Sequence, residues 1–213
     1  IFKLNAITHN YLFQCLSLQD NRLLMKKLIF LLLLFLAMLQ LSAQTKYEHE
    51  SKISFENVPK KARLFVSKII QSKKVKWYKE QSNYGISFEA KSKSKGKNYS
   101  IEFDKNGNIE DVEIENSWNI LPETTQQNIK NSLNSTFKKH KIRKIQIQFS
   151  GEEKDLINYF NNDIKNNITI KYEIVLKGKT DSGKHLYEFL FNHDGQLEST
   201  SKIVFRNTDN IEF

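Results

Sequence analysis

The sequence predicts an α+β fold, built as a tandem repeat of an amphipathic helix packed on a four-stranded antiparallel sheet, with a helical insertion in the second copy. The main observation is internal similarity. Tyr84 and Gly107 recur as Tyr172 and Gly195, in both cases 88 residues later, within runs of alternating apolar residues. A proline-led segment with helical spacing precedes the strands of each copy. A repeated sequence unit predicts a repeated structural unit. A helix followed by a run of strands is typical of α+β proteins.

Residues 25–43, before the repeat, have the three parts of a secretory signal peptide. Met25 is followed by two lysines, then by an apolar run that ends at Leu41, and then by Ser42 and Ala43. The apolar run is shorter than the roughly 20 residues that span a bilayer. We therefore expect cleavage after Ala43, a periplasmic or secreted protein, and no stable membrane span after cleavage. Residues 1–24 are interpreted as an upstream extension before the true start.

Composition limits the remaining possibilities. The single cysteine, Cys15, precedes the expected cleavage site, so the exported part has no disulfide and depends on an ordinary packed core. The full sequence has 33 Lys and Arg against 24 Asp and Glu, a formal charge of +9. A basic protein favours acidic partners or anionic envelope surfaces. We expect no nucleic-acid partner, because an exported chain rarely meets nucleic acid and no nucleic-acid motif is present.

The first copy is assigned to residues 55–118, after a polar segment, 44–54, that we interpret as a flexible lead-in. Ala62, Phe65 and Val66 fall at helical spacing behind Pro59, which predicts a helix over about 59–71. Alternation of apolar and polar residues predicts the strands that follow. These predicted strands are 75–79, 84–90, 99–103 and 109–115.

The second copy is assigned to residues 119–206, followed by a tail, 207–213. Pro122 opens its helix, with Ile129, Leu133 and Phe137 along one side. The distance from Pro59 to Pro122 is shorter than the offset between the strands, so the second copy needs an insertion. A short extra helix within 151–167 is the expected insertion. The predicted strands are 142–149, 170–177, 185–191 and 197–205.

Asp104 to Gly107 and Asn192 to Gly195 each end in a glycine, as hairpin turns with a positive φ require. Oxygen-bearing side chains also alternate from Asp104 to Glu110, which leaves a calcium loop as a weaker alternative. An EF-hand needs Gly at its sixth position and Glu at its twelfth, and the segment has neither. The turn is the favoured interpretation.

A proline-led helix, a strand with Tyr-x-Ile, and a strand that ends in Phe-Asp/Asn-x-x-Gly occur twice after a signal peptide. In this order the sequence resembles PepSY-like proteins with a fold related to β-lactamase inhibitory protein, over about residues 55–205. The resemblance implies a small, periplasmic, non-enzymatic protein. It also implies a concave, aromatic-bearing sheet surface of the kind with which the inhibitor clasps an enzyme. The resemblance assigns no functional residue here.

No arrangement of residues indicates catalysis or a bound cofactor. The histidines downstream of the signal are widely spaced, with no cysteine to join them in a zinc site, and no Gly-x-Ser-x-Gly elbow frames a serine. We therefore expect a protein that is not an enzyme and that has no catalytic, cofactor-binding or metal-binding residues. The histidines are His49, His140, His185 and His193.

Binding is the remaining function class. Tyr78, Trp118 and Trp77 are candidate partner-binding residues because exposed aromatics are enriched at binding hot spots, although Trp77 shares a face with Val75 and can also be core. Two basic patches are further candidates, with solvated charge that protects strand edges as the alternative. They are Lys91, Lys93, Lys95 and Lys97, and Lys138, Lys139, Lys141, Arg143 and Lys144.

Three functional hypotheses follow. The first is a secreted binding module, inhibitor-like in character, that contacts another envelope or extracellular protein. The second is a polyanion or envelope-surface binder that uses the lysine patches. The third and weakest is a calcium-responsive periplasmic protein.

Overall fold

Nine strands and three α-helices form the fold in the computed structural model, which describes residues 26–27, 44–72, 74–82 and 85–205. The predicted upstream extension, the tail and nearly all of the predicted signal peptide lie outside the described residues, as does Tyr84. The strands are β1 Gln44–Ile53, β2 Val75–Ser82, β3 Gly85–Ser94, β4 Lys97–Asp104, β5 Ile109–Glu115, β6 Lys139–Ser150, β7 Thr169–Thr180, β8 Gly183–Asn192 and β9 Leu197–Phe205. The helices are α1 Lys60–Ile69, α2 Glu123–Thr136 and α3 Glu153–Asn162.

All nine strands belong to one sheet. Each strand pairs antiparallel with the next, and β9 pairs in parallel with β1, so the sheet closes on itself. The expected tandem repeat of two four-stranded sheets is therefore wrong. The reason lies at β5 and β6, where Val112 faces Phe149 and Ile114 faces Ile147. The pairing of β5 with β6 continues one apolar face of the sheet from the first expected copy into the second. It leaves no unpaired strand edge between the two copies.

The segment 44–54, expected to be a flexible lead-in, contains strand β1. Its residues from Glu48 to Ile53 pair with β2, and those from Gln44 to Glu48 pair with β9. The segment is polar, so no apolar alternation marks it as a strand. Its backbone hydrogen bonds to two sequence-distant strands hold it in place.

Helices α1 and α2 cover neighbouring parts of one face of the sheet. Phe65 of α1 packs edge-on against Phe103 of β4, and Phe137, just after α2, packs against Phe189 of β8. Helix α1 lies within its predicted range, and α2 follows Pro122 with Ile129 and Leu133 buried, as predicted. The expected insertion helix is α3. Buried residues of the two core clusters include Ala62, Val66, Trp77, Ile101, Val112 and Leu156 in the first, and Ile129, Leu133, Ile174, Leu176, Tyr187 and Phe191 in the second.

The two glycine turns have the predicted form. Gly107 and Gly195 both have φ of +79°, a conformation that glycine adopts without steric cost. Asp104 Oδ1 accepts hydrogen bonds from the backbone N–H groups of Asn106 and Asn108, each at 2.8 Å. The Asp104 carboxylate is thus used to close the turn.

The face of the sheet opposite the helices lines the inside of the closed sheet. A closed sheet of about eight strands has an interior only wide enough for side chains or one small ligand, so the three helices pack outside. On this helix-free face the side chains of Glu89, Ser100, Glu113 and Gln146 are buried without a helix to cover them. The interior is therefore polar at β3 to β6, and its charged groups need partners there.

Candidate functional site

Three acidic side chains meet on the helix-free face where β4, β5 and β6 run side by side. Glu102 lies directly opposite Asp111 in the register, and Glu113 is two residues further along β5, on the same face. Each contributes one oxygen to a group whose atoms all lie within 4.8 Å of one another. We call these three residues the carboxylate cluster.

Two glutamines of β6 cover the carboxylate cluster. Gln146 Nε2 donates a hydrogen bond to Glu113 Oε2 over 2.6 Å, and Gln148 Nε2 donates to Asp111 Oδ2 over 3.1 Å. Burial raises the pKa of Glu113 well above its ordinary value, and the neighbouring carboxylates of Glu173, Glu102 and Asp111 raise it further. The sequence did not indicate this cluster, because its members come together only through strand pairing.

A second charged group inside the sheet is centred on Lys91. Its ammonium lies 2.8 Å from Glu50 Oε1 and 3.0 Å from Glu89 Oε2, and 4.8 Å from the centre of the Tyr78 ring. Burial alone lowers the pKa of Lys91, but the two carboxylates outweigh burial and raise it. Ser100 Oγ donates to the other carboxylate oxygen of Glu89. Lys91 is therefore a partly exposed ion-pair partner of Glu50 and Glu89, and it differs in this from Lys93, Lys95 and Lys97, which are exposed.

Exposed lysines gather at one rim of the sheet. Consecutive strands of this sheet run in opposite directions, so all even-numbered strands begin at the rim where the odd-numbered strands end. The β3–β4 hairpin, the start of β6 and the β7–β8 hairpin therefore lie on one rim. The two basic patches predicted separately thus become neighbours along this rim. The lysine rim consists of Lys93, Lys95, Lys97, Lys139, Lys141, Lys177, Lys179 and Lys184, all exposed.

Strand register places several of these lysines directly opposite one another. Lys139 faces Lys179, Lys141 faces Lys177, and Lys179 also faces Lys184. Like charges directly opposite in a sheet are destabilising, by a few tenths to about 1 kcal/mol. Folding stability therefore does not account for this arrangement. The sequence did not indicate Lys177 and Lys179, because their β6 partners Lys141 and Lys139 lie far away in the sequence. It did not indicate Lys184 either, which follows in the β7–β8 hairpin.

The remaining residues of the second predicted patch have separate positions. Lys138 Nζ lies 2.8 Å from Asp181 Oδ1, and both side chains are largely exposed. An exposed ion pair of this kind contributes little to stability. Arg143 and Lys144 are exposed on β6 at a register shift between Ile142 and Lys144.

The three predicted aromatic residues differ in their surroundings. Trp77 is only 4% exposed and packs near Phe103 in the first core, so it is a core residue. Tyr78 points to the opposite face, half-buried beneath the Lys91 ammonium. Trp118 is half-buried against the second core, with the Lys130 ammonium 5.5 Å from its ring. Their role in partner binding stays a prediction.

An open groove of about 530 Å³ lies between α3 and strands β4 to β6, on the helix-bearing face. Aromatic side chains line much of it, and Ile120, which is 58% exposed, forms part of its wall. Lys97 of the lysine rim also lines the groove, so apolar and cationic groups adjoin here. The aromatic members are Tyr99, Phe149, Tyr159 and Phe160.

Within the part of the chain that the structure describes, no helix has the length and apolar character needed to cross a membrane.

Comparison with known proteins adds a structural likeness. No protein-family model and no curated protein sequence matches this chain. The chain is similar to the crystal structure of a BLIP-like protein from Bacteroides fragilis, with a TM-score of 0.42 and 17% sequence identity over 72% of this chain and 92% of that chain. The resemblance to PepSY-like proteins stays a prediction.

Proposed function

We propose that this chain is a non-enzymatic binding module that docks an acidic partner protein on its lysine rim. The observation that carries the proposal is the register of β6, β7 and β8, which aligns exposed lysines opposite one another at a cost in stability. A cationic surface steers an acidic partner and raises its association rate. Because the predicted signal peptide would export the chain, we expect the partner to be an envelope or extracellular protein.

The aromatic groove favours a protein as the partner. Protein interfaces combine an apolar, aromatic-rich centre with a polar rim. Lys97 belongs to both features, and Ile120 presents apolar surface beside it. Tyr78 and Trp118 remain candidate contacts, and we expect Trp118 to contribute more because Tyr78 lies inside the sheet.

Affinity capture from an envelope extract tests this proposal with two variants of equal charge change. The rim variant is Lys139→Glu/Lys177→Glu/Lys179→Glu. The control variant is Lys60→Glu/Lys105→Glu/Lys165→Glu, which alters exposed lysines at the start of α1, in the β4–β5 turn and before β7, all away from the rim. Wild type and control should capture the same protein, and the rim variant should lose it. Capture should weaken as salt screens the charges. Equal capture by the rim variant contradicts the proposal.

A polyanion or anionic envelope surface is the second candidate, because the same exposed ammonium groups suit repeated phosphates or sulfates. Retention on heparin and sedimentation with phosphatidylglycerol vesicles test it directly. Rim-dependent, salt-sensitive binding to these probes, with no protein captured from extract, selects this candidate over a protein partner. Retention that is equal for the rim and control variants contradicts it.

A further inference from the structure

Most strand lysines of the rim lie on the inner face of the closed sheet. Gly178 of β7 lies against the ring of Phe137, on the helix-bearing side. Lys177 and Lys179 flank Gly178 in the strand, so both lie on the opposite, helix-free face. Residues directly opposite each other in the register share a face, and the exposed lysines added in this way are Lys139, Lys141 and Lys184.

Three other strands add lysines to the inner face from across the opening of the sheet, which we call the mouth. Tyr78 of β2 lies on the helix-free face. Lys52 of β1 is opposite Tyr78, and Lys76 precedes Tyr78 by two residues. On β3, Lys93 follows Lys91 by two residues and shares its face. All three lysines are exposed and lie at the ends of β1 and β3 and the start of β2, which belong to the same rim.

Strand tilt places these side chains at a common height around the mouth. Strands of a closed sheet are inclined to its axis, so positions of equal height drift along the register from strand to strand. Lys52 faces Tyr78, whereas Lys76 lies two residues nearer the rim. The same displacement, in the same direction, recurs from β2 to β3 and from β6 to β7. The lysine ring defined by this drift consists of Lys52, Lys76, Lys93, Lys141, Lys179 and Lys184.

We propose that the lysine ring encloses an extended acidic segment of the partner protein, a loop or tail rich in Asp and Glu that enters the mouth. This inference rests on the proposed function, from which it takes an acidic protein as partner, and it adds the shape that the partner presents. Lysines from six strands reach an inserted segment from both sides, whereas a flat acidic surface would meet those of one side only. The interior of a closed sheet of this size admits side chains or one small ligand, so the inserted segment must be slender.

Acidic side chains deeper on the inner face limit how far the segment enters. Glu188 lies beyond Lys184 on β8, and Glu173 lies beyond Lys179 on β7. Like charges repel at these short distances, so an acidic segment is held at the lysine ring. Between the two levels, Leu186 faces Ile203, and both are half-buried. They offer apolar contact to the methylene groups of an inserted glutamate.

The lysine ring is interrupted at β4 and β5. Asn98 Nδ2 donates a hydrogen bond to Glu115 Oε2 over 2.8 Å at this point. A continuous chain must leave the mouth on the side by which it enters or through a gap in the ring. The interruption provides such a gap, where no ammonium group holds the segment.

Fluorescence anisotropy of the purified protein with a labelled oligoglutamate peptide tests the inference, in about 10 mM salt, where the Debye length is about 30 Å. Three variants each remove two exposed lysines. The near pair is Lys141→Gln/Lys179→Gln, and the far pair, across the mouth, is Lys52→Gln/Lys93→Gln. The matched control is Lys95→Gln/Lys138→Gln, at the tip of the β3–β4 hairpin and just before β6, outside the lysine ring. Far-UV circular dichroism checks that each variant is folded.

The near and far pairs should each lower the affinity for the peptide by about two- to thirtyfold, as the loss of two exposed ion pairs predicts. The control should keep the wild-type affinity. Mild acetylation followed by mass spectrometry gives a second measurement on the wild-type protein. Bound peptide should protect Lys52 and Lys179 together, while Lys138 stays reactive.

Wild-type affinity in the far pair overturns the inference, because the lysines would then act as a one-sided patch on β6 to β8. The proposed function would survive that result if the rim variant still lost the captured protein. An equal loss in the control pair also overturns the inference, since only net charge would then matter. Peptide binding as expected, with no protein captured from extract, supports the lysine ring and contradicts the proposed partner.

Discussion

Gly178 of β7 lies directly against the ring of Phe137, the residue that follows α2. A Cβ atom at position 178 would lie 2.3 Å from Phe137 Cε1, far inside van der Waals contact. The Phe137 ring is buried and lies 5.0 Å from the ring of Tyr187 and 5.6 Å from that of Phe189. The absence of a side chain at Gly178 therefore allows the end of α2 to approach the sheet closely.

The first prediction concerns this contact. Gly178→Ala should lower the free energy of unfolding by about 1–3 kcal/mol, because the added methyl group overpacks the second core. Urea denaturation measures the loss. Phe137→Leu, which removes the ring, should cost less in the Gly178→Ala background than in the wild-type protein. Additive losses in the double variant would show that the two residues do not compete for the same space.

The second prediction concerns the pH dependence that Glu113 produces in a chelating buffer. The folded-state pKa of Glu113 is raised by burial and by its acidic neighbours. Protonated Glu113 therefore stabilises the folded state, and this contribution is complete at pH values below the unfolded-state pKa of about 4.3. This contribution is lost as the pH rises from there to the folded pKa. Glu113→Gln, which is permanently neutral, should thus raise the Tm at pH 7 and lose this advantage below about pH 4.

Glu115→Gln is the matched control for the pH experiment, since Glu115 is exposed on the same strand. Its Tm should follow that of the wild-type protein across the pH range. A lower Tm of Glu113→Gln at pH 7, in the absence of divalent cations, would contradict the prediction.

The third prediction concerns the ion pairs inside the sheet. Lys91→Met leaves the buried Glu89 carboxylate without its cation, and should lower the free energy of unfolding by about 1–3 kcal/mol. The raised pKa of Lys91 means that its contribution is complete below the unfolded pKa of about 10.4 and is lost only as the pH rises through the folded pKa. The difference between variant and wild type should therefore stay constant from pH 7 to pH 9.

Lys93→Met provides the comparison for Lys91→Met, because Lys93 is exposed two residues further along β3. Its effect should remain within about 0.5 kcal/mol, as for most surface substitutions. Guanidinium denaturation of both variants at two pH values is sufficient. Equal losses in the two variants would place Lys91 among the solvated lysines.

The fourth prediction concerns the turn that Asp104 closes, and the equivalent turn at Asn192 shows what an amide can do at this position. Asn192 Oδ1 accepts hydrogen bonds from the N–H groups of Asp194 and Gln196, as Asp104 Oδ1 does from Asn106 and Asn108. Asp104→Asn should therefore keep most of the stability, whereas Asp104→Ala should lose about 0.5–1.5 kcal/mol of unfolding free energy. Thermal melts at pH 7 separate the two variants. A loss in Asp104→Asn as large as that in Asp104→Ala would show that the carboxylate charge, rather than the turn geometry, is required.

The turn also has a pH signature. Burial tends to raise the pKa of Asp104, but hydrogen bonds from Asn108 and Asn106 outweigh burial and lower it. An acid with a lowered folded pKa stabilises the protein above its unfolded pKa of about 3.9, and this contribution is lost as the pH falls through the folded pKa. The gap between wild type and Asp104→Ala should therefore narrow below about pH 4.

Local features of this protein were determined by the sequence. Pro59 and Pro122 precede helices whose apolar stripes are visible at helical spacing, and Gly107 and Gly195 mark turns that only residues tolerant of positive φ adopt readily. These features depend on residues within a few positions of each other. For the same reason the alternating strands could be placed, whereas the polar strand β1 could not.

Only the tertiary structure decided how the strands join. The pairing of β5 with β6 and of β1 with β9 turned two expected sheets into one closed sheet. The pairing of β5 with β6 brings Gln146 and Gln148 over the carboxylate cluster and places the start of β6 on the same rim as the β3–β4 hairpin, because β6 is distant from these strands in the sequence. Strand register is a non-local property, set by which apolar faces and unpaired backbone groups meet during folding. The internal similarity of the sequence therefore indicated the strands correctly but not the sheet to which they belong.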